Sequence, residues 1–139
     1  MNYKKFGNTW IISIEKGEEL IESICRFCRD NKITFGMISG IGSTDNAVLG
    51  IYDASGRVYN STMIEGDHDI TNLTGNISQM DNDVYLHVHA TLSDMKNLTI
   101  GGYVTSAVIS GVCEIFITVI DAHITRIFDD KTGLNIFKL

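Results

Sequence analysis

The stretch "WIISIEKGEELIESICRFCRDNKITFGM", Trp10 to Met37, changes its hydrophobic period twice, and the fold follows from those two changes. Trp10, Ile12 and Ile14 alternate with Ile11, Ser13 and Glu15, the two-residue period of a strand. From Leu20 the apolar positions are Leu20, Ile21, Ile24, Phe27 and Cys28, spaced by three and four, while Glu18, Glu22, Arg26 and Arg29 take the other side. That spacing predicts one amphipathic helix with its apolar stripe on a sheet. Its early glutamates complement the helix dipole, and Glu22 precedes Arg26 by four residues in the favourable order. Beyond Ile33 the short period returns and no second helix follows.

Working outward, the remaining segments read as strands: "ITFGMISGIG", "NAVLGIYD", "RVYNSTMIE", "ITNLTGNISQM", "DVYLHVHATL", "GVCEIFITVI" and "HITRIF". Turn signals separate them, "DASG" before Arg57 and "MDND" before Val84, the latter suggesting a tight hairpin. With no proline in the chain, turns rest on Gly, Asn and Asp. The expectation is an α+β fold: a mostly antiparallel, curled sheet of seven to eight strands with one main helix. No repeat, linker or low-complexity tract divides residues 1–139, which read as a single domain. The segment "GVCEIFITVI" is apolar on both faces except at Glu114 and Thr118, which in so small a chain points to a subunit interface.

Composition narrows the function. A 44% hydrophobic, 20% charged chain of 139 residues is of ordinary globular type. Its net charge of −6 and scattered 11 lysines and arginines argue against direct nucleic-acid binding, which needs clustered cations to neutralise phosphates. Three cysteines, Cys25, Cys28 and Cys113, form no disulfide framework, so a reducing cytoplasm is the expected compartment. The "CRFC" pair, lacking a second pair, reads as two half-buried helical residues rather than a metal site. Neither a signal peptide nor a membrane span is expected.

The chemistry concentrates in "VYLHVHATL". Period two puts Val84, Leu86, Val88, Ala90 and Leu92 on one face, and Tyr85, His87, His89 and Thr91 on the other. Residues two apart lie about 7 Å apart along one face, so the imidazoles of His87 and His89 can converge on one ion such as zinc. Two donors do not complete a shell. His68, His123, Asp94, Glu114, Cys113 and Tyr103 are the further candidates, none placed by spacing alone. Glu114 shares a strand face with Val112, Phe116 and Ile120, where a carboxylate must be paired, protonated, ligating or exposed at an edge; Arg126 and Arg57 are the cations offered for pairing. "MISGIGSTDNAVLG" is no phosphate loop, because a strand rather than a helix follows it. Its glycines suit a bend or bulge, and the Gly101–Gly102 pair marks a sharp turn or a close approach. Ser106 and Ser110 stand in no nucleophile-elbow motif.

Taken in order, "ISGIGSTDNAVLGIYD", "EGDHDITNLTGNIS", "LHVHATLSD" with "IGGY", "CEIFITV" and "RIFDDKTGLNIFKL" resemble the plant and prokaryote conserved (PPC) domain over nearly the whole chain. This is the module that follows the AT-hooks of plant AT-hook nuclear-localised proteins and stands alone in bacteria and archaea. The resemblance implies a homotrimer with helix and sheet edges at the subunit contacts and no DNA contact of its own, since the Arg-Gly-Arg-Pro type hook is missing; Tyr103 and Glu114 are the candidate pocket residues. Some prokaryotic relatives hold zinc through the HxH pair and a histidine in a downstream "GGH"; the fold is also similar to that of acetolactate decarboxylase, a metal-dependent enzyme. His87 and His89 match the pair, and Tyr103 stands where the third histidine is expected. The favoured reading is a non-enzymatic, trimeric binding module for a small ligand or protein partner. The alternatives are a metal-dependent enzyme for a small carbonyl or carboxylate substrate, using His87, His89 and Glu114, and a DNA-associated regulator recruited through another protein.

Overall fold

The computed structural model describes Met1–Leu139. Eight strands and one helix follow in the order β1 (Asn2–Phe6), β2 (Thr9–Glu15), α1 (Leu20–Asp30), β3 (Gly36–Asp53), β4 (Val58–Met80), β5 (Asp83–Ser93), β6 (Thr99–Val119), β7 (Thr125–Asp129) and β8 (Leu134–Lys138). The pairings are antiparallel except for one parallel bridge between Gln79 and Thr125. Four long strands close on themselves: β3 pairs with β4, β4 with β5, β5 with the start of β6, and β6 with β3. Closure leaves few backbone groups on open edges. Beyond β6 the sheet continues through β2 to β1, and the β7–β8 hairpin joins it at β4.

The helix forms where its period places it. Glu19 caps it with one carboxylate oxygen, which accepts from the Glu22 amide, while the other accepts from the Ala107 amide of β6 at 2.8 Å and ties the helix start to the sheet. At the other end the amides of Lys32 and Ile33 donate to the carbonyls of Arg29 and Cys28, with Lys32 at φ 55° in the left-handed position more often held by glycine. Leu20, Ile24, Phe27 and Cys28 are buried against the sheet. Phe27 meets Trp10 and Tyr3 edge to face at 5.1 and 5.0 Å. Arg29 donates to both carboxylate oxygens of Asp83, fastening the helix to the β4–β5 hairpin. That hairpin turns through Asp81 and Asn82, both at positive φ as a type I′ turn requires.

The strands number eight, but they divide the chain differently from the sequence expectation. "ITFGMISGIG" and "NAVLGIYD" are one strand, β3, whose register slips at Gly40/Gly42 and again at Thr44/Asn46 without a turn. Likewise "RVYNSTMIE" and "ITNLTGNISQM" form the single strand β4, and the Gly101–Gly102 stretch is the extended beginning of β6. Bulges keep the hydrogen-bond ladder running where a turn would break it. β1 and β8 supply the two strands not foreseen.

Period two sorts the side chains. Ile12, Ile38, Leu73, Ile77, Val88, Ile115 and Ile117 fill the interior beneath α1. Truncating any of these leucines or isoleucines to alanine costs roughly 2–5 kcal/mol. The outer face of β2, β6 and β3 carries Ile11 opposite Phe116 and Ile41 opposite Glu114, with Met37 one row away. Phe116, Ile41 and Met37 are 49%, 57% and 60% exposed, so the doubly apolar character of the β6 segment leaves an uncovered apolar patch. No helix is long and apolar enough to cross a membrane.

Candidate functional site

β5 displays His87 and His89 on the outer face, with Leu86, Val88, Ala90 and Leu92 buried behind them as the alternation requires. Asn76 of β4 lies opposite His87, and Thr74 opposite His89. Tyr103 of β6 lies opposite His89 from the other side. Gly75 sits between those β4 positions because nothing larger fits: a Cβ there would stand 2.2 Å from the His87 carbonyl oxygen. Gly102 likewise lets β6 pass β3, where a Cβ would stand 2.7 Å from the Gly50 carbonyl oxygen.

The two imidazoles meet, with Nε2 to Nε2 at 3.2 Å. Tyr103 completes the cluster, its ring centroid 5.9 Å from that of His87 and 5.8 Å from that of His89. Burial, the charge of Arg126 and the neighbouring His89 together hold the His87 imidazolium pKa below its ordinary value. Burial holds the Tyr103 hydroxyl above the usual phenol range, so it is neutral at physiological pH.

The β7–β8 hairpin folds back as a wall beside this cluster. From it Arg126 points inward and is 7% exposed. Its Nε donates to Ser78 Oγ at 2.8 Å, Nη1 to the Asn135 carbonyl at 2.6 Å and Nη2 to Asn76 Oδ1 at 2.7 Å. Tyr85 and Phe137 flank the guanidinium, their centroids 4.8 and 4.3 Å from Cζ. The opposite wall is the tip of the β3–β4 hairpin with Tyr52 and Tyr59. Tyr52 Oη donates to the Thr132 carbonyl at 2.7 Å, which clasps the two hairpins together. Between them lies a cleft of about 680 Å³, within the range of sites that enclose small organic molecules.

The other candidates lie elsewhere. Glu114 is exposed on the outer face of β6, beside Ile41 and Val112 in a separate shallow groove, and neither Arg126 nor Arg57 pairs with it. His68 sits in another groove with Asp67, Asp69 and Asp94, its Nδ1 2.7 Å from the Gly66 carbonyl. His123 is exposed before β7. Cys113 is wholly buried, its thiol pushed up to about 12 by desolvation. Sequence reasoning missed Arg126, Asn76, Tyr52, Tyr59 and Phe137 as parts of one site. Tyr85 was legible, since it shares a strand face with the histidines.

The donor set can be tested against zinc. Two imidazole nitrogens bound at about 2.0–2.1 Å to a tetrahedral ion stand about 3.3 Å apart, close to the observed pair. The same spacing serves a neutral pair in which one Nε2–H donates to the other Nε2. No three His, Cys, Asp or Glu side chains come together, and a neutral tyrosine hydroxyl is a poor zinc ligand. The residues present therefore fit two donors of a zinc site and not a complete one.

Comparison with known proteins gives a consistent result. No protein of curated function matches the chain. A crystal structure from Bacteroides thetaiotaomicron, of a protein provisionally named as DNA-binding, is 33% identical with TM-score 0.95, covering 99% of this chain and 96% of that one. A metal-containing protein from Archaeoglobus fulgidus is 27% identical with TM-score 0.91, over 100% of this chain and 99% of the other. A plant- and prokaryote-conserved protein from Pyrococcus horikoshii is 27% identical with TM-score 0.88, over 99% and 95%. The model of the Plants and Prokaryotes Conserved domain matches residues 1–121, so the chain belongs to that family.

Proposed function

We propose that the chain is a PPC-type binding module that receives a small ligand in the cleft above His87 and His89 and assembles as a homotrimer. The observation that carries this reading is the cleft itself: aromatic walls with a few convergent polar groups, His87, His89, Tyr103 and Arg126, are the usual make-up of a ligand pocket. The donor set supports recognition over metal catalysis, because Tyr103 occupies the place of a third imidazole. Trimer formation draws on the family resemblance and on the uncovered patch of Ile11, Met37, Ile41 and Phe116. Direct DNA binding is no part of the proposal, since 17 acidic residues face 11 basic ones.

The second reading, a metal-dependent enzyme for a small carbonyl or carboxylate compound, is favoured by the 3.2 Å imidazole pair and by the metal-containing relative. Metal analysis separates the two. Protein purified without chelator or histidine tag should hold far less than one zinc per chain after dialysis. One zinc per chain, retained through dialysis and lost in His87→Ala, would replace the first reading with the second.

A further inference from the structure

The cleft is electropositive within an acidic molecule. Among its lining residues Arg126 is the sole charged side chain, with no aspartate or glutamate beside it. Buried arginines are ordinarily held by a carboxylate, because a guanidinium removed from water needs compensation worth several kcal/mol. Arg126 has no such partner: its protein acceptors are a hydroxyl, a backbone carbonyl and an amide oxygen, all neutral. Those three bonds use three of the five guanidinium N–H groups, leaving one proton on each terminal nitrogen without a protein acceptor. Arg126 is among the residues that line the cleft.

The rest of the cleft says what the ligand's body is made of. Four of the chain's five tyrosines, Tyr52, Tyr59, Tyr85 and Tyr103, line it together with Phe137. The rings of Tyr52, Tyr59 and Tyr103 run as a chain with centroids 5.1 and 5.6 Å apart, forming a wall suited to a flat, apolar partner. One cation with two remaining donors suits a monoanion with two oxygens on one carbon, which a guanidinium fork grips bidentately. A phosphate dianion calls for more positive charge than the cleft supplies. Arg126 and Phe137 belong to β7 and β8, so this chemistry is carried by the C-terminal hairpin.

Resting on the reading of the cleft as a ligand site, we propose that it recognises a small aromatic monocarboxylate, with the carboxylate on Arg126 and the ring against the Tyr59–Tyr103 wall. Arg126 here is a recognition residue.

The test is a calorimetric or ligand-observed NMR titration of the full chain with cinnamate, with its neutral amide, and with inorganic phosphate. Cinnamate should bind at least about tenfold more tightly than the amide, as loss of a charge-assisted pair requires, and phosphate should not compete. Arg126→Lys keeps the charge but not the fork and should weaken cinnamate more than it weakens the amide, shrinking the ratio between them. Tyr59→Ala, on an exposed hairpin tip, should weaken both. Equal affinity for cinnamate and amide overturns the assignment of Arg126 yet leaves the cleft a ligand site. Competition by phosphate overturns the ligand class. Binding of none of the three removes the cleft reading and this inference together. Should Arg126→Lys melt out, the ratio of cinnamate to amide on the unaltered chain decides alone.

Discussion

Between His89 and Tyr103 the ring centroids lie 5.8 Å apart across directly paired positions of β5 and β6. A side chain at 103 therefore enters the same space as the two imidazole Nε2 atoms, and its chemistry sets what the pair can hold. Tyr103→His replaces a neutral hydroxyl by a third imidazole on the same face, supplying the three protein donors typical of a catalytic zinc site. The variant should retain about one zinc per chain through dialysis where the parent does not, read by atomic emission on tag-free protein. A variant as metal-poor as the parent would show that the 3.2 Å contact is only a hydrogen bond between neutral rings. Gly75 acts at the same scale from behind, since its missing Cβ lets β4 approach the His87 carbonyl.

At the scale of elements, α1 shows how one stripe of side chains isolates chemistry from solvent. Its buried face includes Cys28, whose thiol is pushed up to about 12, chiefly by desolvation. Burial likewise raises Cys113 of β6, to about 12. Cys25, one turn before Cys28, is only half buried; burial raises its pKa too, against the pull of Arg29. The thiolate is the attacking form, so at pH 8 a thiol of pKa about 12 is ionised in about one molecule in ten thousand. Iodoacetamide on the native protein should label Cys25 slowly and leave Cys28 and Cys113 untouched, while all three react in urea. Mass spectrometry of the digested protein checks this. Labelling of Cys28 at the rate of Cys25 would mean that the helix lifts from the sheet.

For the whole molecule, the outer face of β2, β6 and β3 is the feature a monomer leaves unexplained. A patch built on Ile11, Phe116, Ile41 and Met37 is exposed across three paired strands, with Ser39, Thr118 and the carboxylate of Glu114 set among its apolar side chains. Burying it between copies fits the proposed trimer, because apolar area removed from water contributes about 25 cal/mol per Å². Multi-angle light scattering should give a mass three times the 15.4 kDa of the chain. Phe116→Asp places a second carboxylate two residues from Glu114 on the same strand face and should shift the mass toward that of the monomer with the fold intact by circular dichroism. A parent protein that runs as a monomer at all concentrations would dismiss the trimer.

Much of this was open to reading along the chain, for a physical reason. Secondary structure is local: the three-and-four spacing from Leu20 to Cys28 and the alternation from Val84 to Leu92 each report which side meets water, and both appear in the structure as read. The His87–His89 pair was visible on the same grounds, since neighbours two apart share a strand face whatever lies around them. Strand boundaries were less legible because a bulge and a turn use the same residues, and the glycines of β3 alone do not say whether the ladder stops or slips. Arg126 was not legible as a site residue, for in "HITRIF" it looks like any solvent-facing cation. Its burial arises only when the last hairpin folds back over β4 and β5, bringing it beside residues about 50 positions earlier: Asn76 and Ser78. Local period chose the helix, the strands and the face of the histidine pair; long-range closure chose the company that pair keeps, because contacts between distant segments leave no period in the residues that make them.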